Sequence, residues 1–595
     1  MRNYKTPGVY VEELSLLPPS VAQVETAIPA FIGYTEMAKG IDDEDLTNKP
    51  VRIKSLLEYE QLFGKDFLQE LTVILSNDEP YRPRQVSFTS EENPYRMYNS
   101  LKLFFANGGG PCYIVSVGTF EEGGAGPVLD AIDDYSELKK GLDEIRKIDE
   151  ITLILFPEAD KLTDTAKFDL YKDALAQCAS LQDRFCIFDV EDDDVSGITF
   201  RNNIGISNLS YGAAYYPYLN TSLNYSYRPS NIYFQHTATN AFNGISMDKL
   251  QKLAEVLEME SHIETAKTQA ENAQSNAGSL TKPGKLREFR VAFSATEKAV
   301  QSASEAKDLV EDGGFTSSDF DDAETKLEEV RSENISTTSV VDDIDGAITK
   351  LVAACEDVRN AIASILAQIN TETGVVAAHN ENIREFYTGS FLASIENLLK
   401  DFKLKMPPSG AIAGIYAMVD ETRGVWKSPA NVSLNLVAGP SVKIDSLVND
   451  NFNVHSSGKS INVIRSFTGK GTLVWGARTL DGNSNEWRYI SVRRFYNMVE
   501  ESVKEASEQF VFEPNDANTW VKVKAMIENF LILQWRAGAL MGSKPEHAFF
   551  VKIGLGETMT QDDVLNGKMI VEIGLAVTRP AEFIILRFSH KMLEA

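Results

Sequence analysis

Three different spacings of apolar residues succeed one another along the chain. Between residues 26 and 245 they come as short unbroken runs: IPAFIGY (28–34), PCYIVSVG (111–118), ITLILFP (151–157), RFCIFDV (184–190) and YGAAYYPYL (211–219). A strand that is apolar at every position is buried on both faces, so these runs predict a largely parallel sheet. The segments between them read as helices. In PYRMYNSLKLFFANGGG, Tyr95, Tyr98, Leu101 and Phe105 share one helical face, and three glycines halt the helix. Another helical stretch lies near 134–147. Strands and helices in alternation give an α/β middle domain.

From 246 to 385 the spacing changes. Val341, Ile344, Ile348, Leu351, Cys355, Val358, Ile362, Ile365 and Ile369 alternate steps of 3 and 4. That predicts a helix of about 30 residues, roughly 45 Å long. Leu286, Phe289, Phe293 and Val300 mark a second helix, with Thr296 a weaker member of the same face. Segments 248–262 and 318–332 suggest two more, separated by Gly-Ser-Pro and Gly-Ser breaks. An all-α bundle inserted in the middle domain accounts for this pattern; a coiled coil with a foreign partner is the alternative. Residues 386–455 return to the α/β domain through SGAIAGIYAMVDETRGVWKSPANVSL, where Tyr416 and Trp426 are expected in the core. Asp420 and Arg423 there read as a structural ion pair, because no other reactive group accompanies them.

The last segment, 456–595, mixes both patterns. Two β-rich runs flank a turn at Thr468–Gly471, and Phe495, Met498, Val499, Val503 and Ala506 follow at helical spacing. Asn515 or Asp516 then offers an N-cap for a long helix over 517–541. One face of that helix carries Trp520, Val523, Ile527, Phe530 and Leu531. Another carries Lys522, Asn529 and Arg536 at seven-residue steps, with Ile532 and Leu533 nearby and Lys524 closer to the apolar edge. On sequence alone the basic stripe is either solvated or faces a partner. The chain ends on MIVEIGLAV and EFIILRF, joined by Thr578-Arg579-Pro580-Ala581, which together predict a hairpin over 569–588. At the opposite end, Pro7 and Pro18-Pro19 bracket a short β-like run, Gly8 to Glu12. Residues 1–25 therefore form an extended arm whose strand lacks a local partner and pairs elsewhere, in its own chain or another.

Charge sharpens this division. The net charge is −28 and the sequence pI about 4.8, which argues against nucleic acid as a partner. Residues 456–595 hold 17 Lys+Arg against 16 Asp+Glu, so nearly all the excess lies in the first 455 residues. Between 251 and 380 there are 12 basic and 24 acidic residues. An acidic body with a neutral end suggests that one end meets water and the other a partner. No secretion signal and no run of 18 apolar residues is present, so synthesis in the cytoplasm and no membrane insertion are expected.

Candidate chemistry is sparse. The six histidines stand apart, and Cys112, Cys178, Cys186 and Cys355 read as buried reduced thiols. GGGP (108–111) follows a helix and precedes a strand, the reverse of a phosphate loop. SSGKS (456–460) imitates the end of a Walker A motif, but Asn453 stands where its first glycine belongs. No catalytic residue, cofactor or metal is expected, and the chain is read as a non-enzyme.

Seven segments in order carry a resemblance: TPGVYVEE (6–13), PPSGAIAGIYAMVDETRGVWKSPAN (407–431), VWGARTL, EWRYISVRR, FEPND, WRAGALMGSKPEHAFFVK and GKMIVEIGLAVTRPAEFII. Together they resemble contractile tail sheath proteins, which surround the inner tube of phage tails, tailocins and extracellular contractile injection systems. Taken with the spacing pattern, the resemblance divides the chain into an exchange arm (1–25), an α/β middle domain (26–245 and 386–455) and a C-terminal α+β sheath domain (456–595); about the inserted acidic helical domain (246–385) it says nothing. Compact members of the family lack the insert. It further implies that the C-terminal domain is completed by strand exchange between subunits through Val9, Tyr10, Val11, Phe583 and Ile585. Lys522, Asn529 and Arg536 would dock on the inner tube. The implied partners are other copies in stacked helical rings, the inner tube protein, and baseplate and terminal cap proteins. The implied role is a contracting sheath that drives the tube through a target envelope, in a particle released by lysis. A soluble α/β enzyme with a helical insert, or a non-contractile shell or tube protein, are the other readings.

Overall fold

The computed structural model describes residues 21–76, 82–120, 135–236, 243–309, 318–374, 380, 383–384, 387 and 389–587. The chain forms two compact units, one of residues 1–67, 94–223 and 404–595, the other of 68–93 and 224–403.

A nine-stranded sheet runs through the first unit, in the order Val432–Ser433, Gly471–Val474, Asn462–Phe467, Gly212–Tyr216, Phe185–Asp189, Leu153–Leu155, Pro29–Thr35, Cys112–Thr119, Val51–Ile53. The six strands from Asn462–Phe467 to Cys112–Thr119 run parallel to one another, while Gly471–Val474 and Val51–Ile53 pair antiparallel at either side of them. All seven residues of Pro29–Thr35 are buried, as its unbroken apolar run requires. YGAAYYPYL does not form one strand: it breaks at Pro217 into Gly212–Tyr216 and Leu219–Asn224. The two runs around Thr468–Gly471 do pair as a hairpin, but as part of this sheet. Asn462 and Val463 align in parallel with Tyr215 and Tyr216, so the boundary expected at 456 falls inside the sheet.

The small residues of SGAIAGIYAM have a packing reason. Helix Ser409–Arg423 lies so close to helix Met97–Ala106 that a Cβ on Gly410 would sit 2.7 Å from the Ser100 carbonyl oxygen. A Cβ on Gly414 would sit 2.4 Å from that of Phe104. Tyr416 is fully buried, while Trp426 is only half-buried, edge-on to Phe495. The four cysteines are buried free thiols.

The second unit holds helices Met247–Asn276, Lys282–Asp308, Ser318–Ser332 and Val341–Thr373, here the first to fourth, together with Gly389–Asp401. Every member of the predicted 3–4 repeat is buried except Val341 at its start. The first helix is twice its expected length because Ala266, Ala270 and Ala273 continue its buried stripe. The unit is also wider than the stretch 246–385. A three-stranded sheet of Ile232–His236, Leu71–Leu75 and Pro83–Phe88 shares its core: Leu71, Val73 and Phe234 cluster with Leu250, Leu253 and Phe391. Its chain ends converge. Gln69 donates to the Glu91 carbonyl (3.1 Å) and accepts from the Asn93 amide (2.7 Å), its own amide donates to Ser226 (2.7 Å), and the Tyr225 and Phe402 rings are 5.3 Å apart.

Candidate assembly surfaces

The C-terminal part of the first unit is built on two helices. Ile490–Ser507 buries Phe495, Met498 and Val499; Ala517–Arg536 buries Val523, Met526, Ile527, Phe530 and Leu531 against them. Asp516 caps the second helix by accepting from the Thr519 amide at 3.0 Å, and Gly538, at φ +90°, follows its end before the expected position 541. Trp520 is half-buried at the edge of the apolar face, donating its indole N–H to Asn515.

The face away from this core is open. Lys522, Asn529 and Arg536 are all exposed, and among the described residues neither cation is in an ion pair. Val521 and Leu533 flank them, 66% and 51% exposed. Lys524 lies beside Glu528 at 4.0 Å and is less available. The stripe is thus a mixed basic and apolar surface, about 21 Å from Lys522 to Arg536.

The closing hairpin predicted over 569–588 does not form. Glu572–Leu575 pairs antiparallel with Phe549–Lys552 instead, Phe549 opposite Leu575. The ladder continues as far as the Thr578 amide, which donates to the Ala539 carbonyl at 2.9 Å; Pro580 then lacks an N–H to extend it. Glu582 is drawn elsewhere. Its carboxylate takes both Nε (2.9 Å) and Nη2 (2.6 Å) of Arg478, the Asn453 amide (2.6 Å) and the Tyr489 hydroxyl (3.2 Å). Burial pushes this carboxyl up, but those partners outweigh it and hold it below its ordinary value. Beyond the clamp, Phe583, Ile584, Ile585 and Leu586 are 70–79% exposed and in no strand. Four apolar side chains thus stand in water on backbone without a ladder.

The same domain carries an apolar groove. Ile573 and Leu575 line this groove of about 340 Å³ together with Tyr496, Val499, Val503 and Ile527. Val9, Tyr10 and Val11 lie outside the described residues.

Buried charge joins these helices to the rest of the unit. Asp420 pairs with Arg494 at 2.5 Å, not with Arg423, which is exposed. Arg494 also donates to the Thr26 carbonyl at 2.7 Å and lies 4.6 Å over the Tyr416 ring. Two other buried carboxyls cap helices. Glu158 accepts from the Arg96 and Met97 amides at 2.8 and 2.6 Å, at the N-terminus of Met97–Ala106, and burial pushes it up to about 8. Asp189 accepts from the Ser409 amide at 2.7 Å, and burial pushes it up to about 7. Both hold helix ends in place. Lys459 of SSGKS is buried, its ammonium donating to the Arg201 carbonyl.

Residues 483–591 match the family model of the phage tail sheath C-terminal domain. Across 99% of this chain and 100% of the other, the fold superposes on the anti-feeding prophage helical sheath in its contracted state, with TM-score 0.51 and 25% identity. The chain is similar to contractile tail sheath proteins. A tail sheath protein of Vibrio phage KVP40 is 28% identical over 129 residues, 21% of this chain; the chain spans about a fifth of that relative, 19%. The sheath complex of PVC, an extracellular contractile injection system, shares the fold at 23% identity and TM-score 0.51, over 99% of both chains. Within the matched residues lie the basic stripe, the groove and the exposed apolar run Phe583–Leu586. The sequence placed the first of these, but read 583–586 as a strand of a closing hairpin that does not form. It missed the groove, which needs three elements folded together, and the Arg478–Glu582 clamp, whose residues are 104 positions apart.

Proposed function

We propose that this chain is the structural subunit of a contractile sheath, polymerising as stacked helical rings around an inner tube and contracting to drive it through a target envelope. The likeness to contracted sheath across nearly the whole chain carries this reading. In it, the exposed run Phe583–Leu586 and the arm strand at Val9–Val11 each complete a neighbour's sheet at the free edge of Glu572–Leu575, where backbone ladders give strength and the groove selects side chains. Lys522, Asn529 and Arg536 face the inner tube, and the subunit also meets baseplate and terminal cap proteins. Contraction draws on metastable contacts between subunits, so no nucleotide or cofactor is consumed. The particle is assembled in the cytoplasm and released by lysis.

In this reading the helical unit is an inserted domain that sheath formation does not require. Its convergent ends support that: replacing 69–93 and 224–403 with two short Gly-Ser links should leave sheath assembly intact. The central test is electron microscopy of the chain produced together with the inner tube protein of its particle. Coated tubes that shorten and widen on a contraction trigger are expected. Bare tubes beside soluble, folded subunit would overturn the proposal.

A further inference from the structure

In the strongly acidic stretch 251–380, six of the 12 basic residues sit in the second helix of the bundle, Lys282–Asp308, which has only four acidic ones. A groove of about 750 Å³ runs between it and the first helix. Arg290 and Lys298 line it beside Thr265, Gln269 and Ser294, and Val291 is 46% exposed along it. Both cations are exposed, and among the described residues neither is in an ion pair. The third helix, Ser318–Ser332, is the opposite: six acidic residues and two basic. It buries Phe320, Ala323, Leu327 and Val330, packing mainly on the fourth helix, and turns Asp321, Asp322 and Glu324 to solvent with no ion-pair partner among the described residues. Because its apolar face is committed there, this helix does not fill the groove of its own chain.

We propose that the groove between the first and second helices receives the acidic face of the third helix from a second copy of this chain, so that neighbouring helical units bind one another. Lengths and charges agree. From Arg290 to Glu305 the groove follows about 22 Å of helix, and a 15-residue helix spans about the same. Arg290 and Lys298 are about 12 Å apart along the axis, against about 10 Å from Asp321 to Glu328. Glu328 is paired with Arg331, but that exposed pair is readily exchanged. One copy thus carries both halves of a head-to-tail contact, which a helical array repeats without closing. This rests on the sheath reading, since only an ordered array brings the halves together repeatedly.

The test uses sheath assembled from full-length subunits and measures, by sedimentation, the salt concentration at which it falls apart. Arg290→Glu/Lys298→Glu and Asp321→Lys/Glu324→Lys should each leave monomer melting unchanged and lower that concentration at least about twofold, since exposed charge contacts are screened by salt. Mixing the two variants should restore it, because opposite charges then meet only between copies. If sheaths form and both variants match the wild type, or if the mixture fails to recover, the inference is overturned while the sheath reading stands. If the wild-type chain forms no sheath at all, the sheath reading falls first and takes this inference with it.

Discussion

Arg494 and Asp420 lie 2.5 Å apart with side chains only 3% and 6% exposed, fastening helix Ile490–Ser507 to helix Ser409–Arg423. Thr26 joins the same pair, its hydroxyl donating to Asp420 at 2.6 Å. Removing one charge strands the other in a dry site, so Arg494→Met should cost about 3–5 kcal/mol of unfolding free energy. The double variant Arg494→Met/Asp420→Leu should recover much of that loss. Urea unfolding of the three proteins decides: equal losses in single and double variants would mean that the charges themselves are not what holds this joint.

Lys522→Glu/Arg536→Glu should abolish or strongly weaken attachment to the inner tube at low salt. Both positions are exposed, so the melting temperature should move by no more than a degree or two. Co-sedimentation with purified tube measures the first effect and thermal unfolding the second. Normal coating by the variant would take these residues out of the tube interface.

Phe583→Ser/Ile585→Ser should leave the subunit folded, because those side chains are already 70% and 78% exposed. Ordered sheath should nevertheless be lost, as should happen on deleting residues 1–14. An unfolded monomer in either case would show that the strand pairs within its own chain. Circular dichroism and electron microscopy of the same preparations separate the two outcomes.

Glu158 gives stability a pH dependence. Its folded value near 8 stands above the ordinary 4.5, so the folded chain holds a proton that the unfolded chain releases between those values. The stabilisation is complete below pH 4.5 and is lost as pH rises toward 8, by about 1.4 kcal/mol per pH unit within that window. Glu158→Gln keeps an oxygen for the Arg96 and Met97 amides and removes the proton. It should match the wild type near pH 5 and exceed it near pH 8 in urea unfolding; parallel profiles would show that Glu158 does not titrate there.

How far the sequence announces this architecture depends on the signal each element uses. Large branched side chains at fixed steps announced Ile344 through Ile369, and unbroken apolar runs announced the central strands. Alanine stripes did not register: Ala266, Ala270 and Ala273 extend a helix that composition alone ended near 262. Residues 68–93 read as part of the middle domain because strand periodicity says nothing of which core a strand enters; that Leu71 and Val73 share a core with Leu250 and Leu253 shows only in the fold. The closing hairpin failed for a related reason. EFIILRF has strand composition, and the absence of a ladder partner is not written in its residues. The stripe at Lys522, Asn529 and Arg536 was legible because exposure on a helix follows directly from its period.

The position of Glu582 decides how the chain would carry tension. Arg478, which grips it in two places, is itself tied through its backbone to Asn462 on the central sheet, at 2.8 Å in both directions. A pull on residues 583–587 therefore reaches the nine-stranded sheet through one bidentate anchor, and leaves the two-stranded sheet at Glu572–Leu575 unstretched. In the proposed sheath, the recoil of a neighbour would enter the nine-stranded sheet through this anchor, ahead of the edge proposed to receive incoming strands.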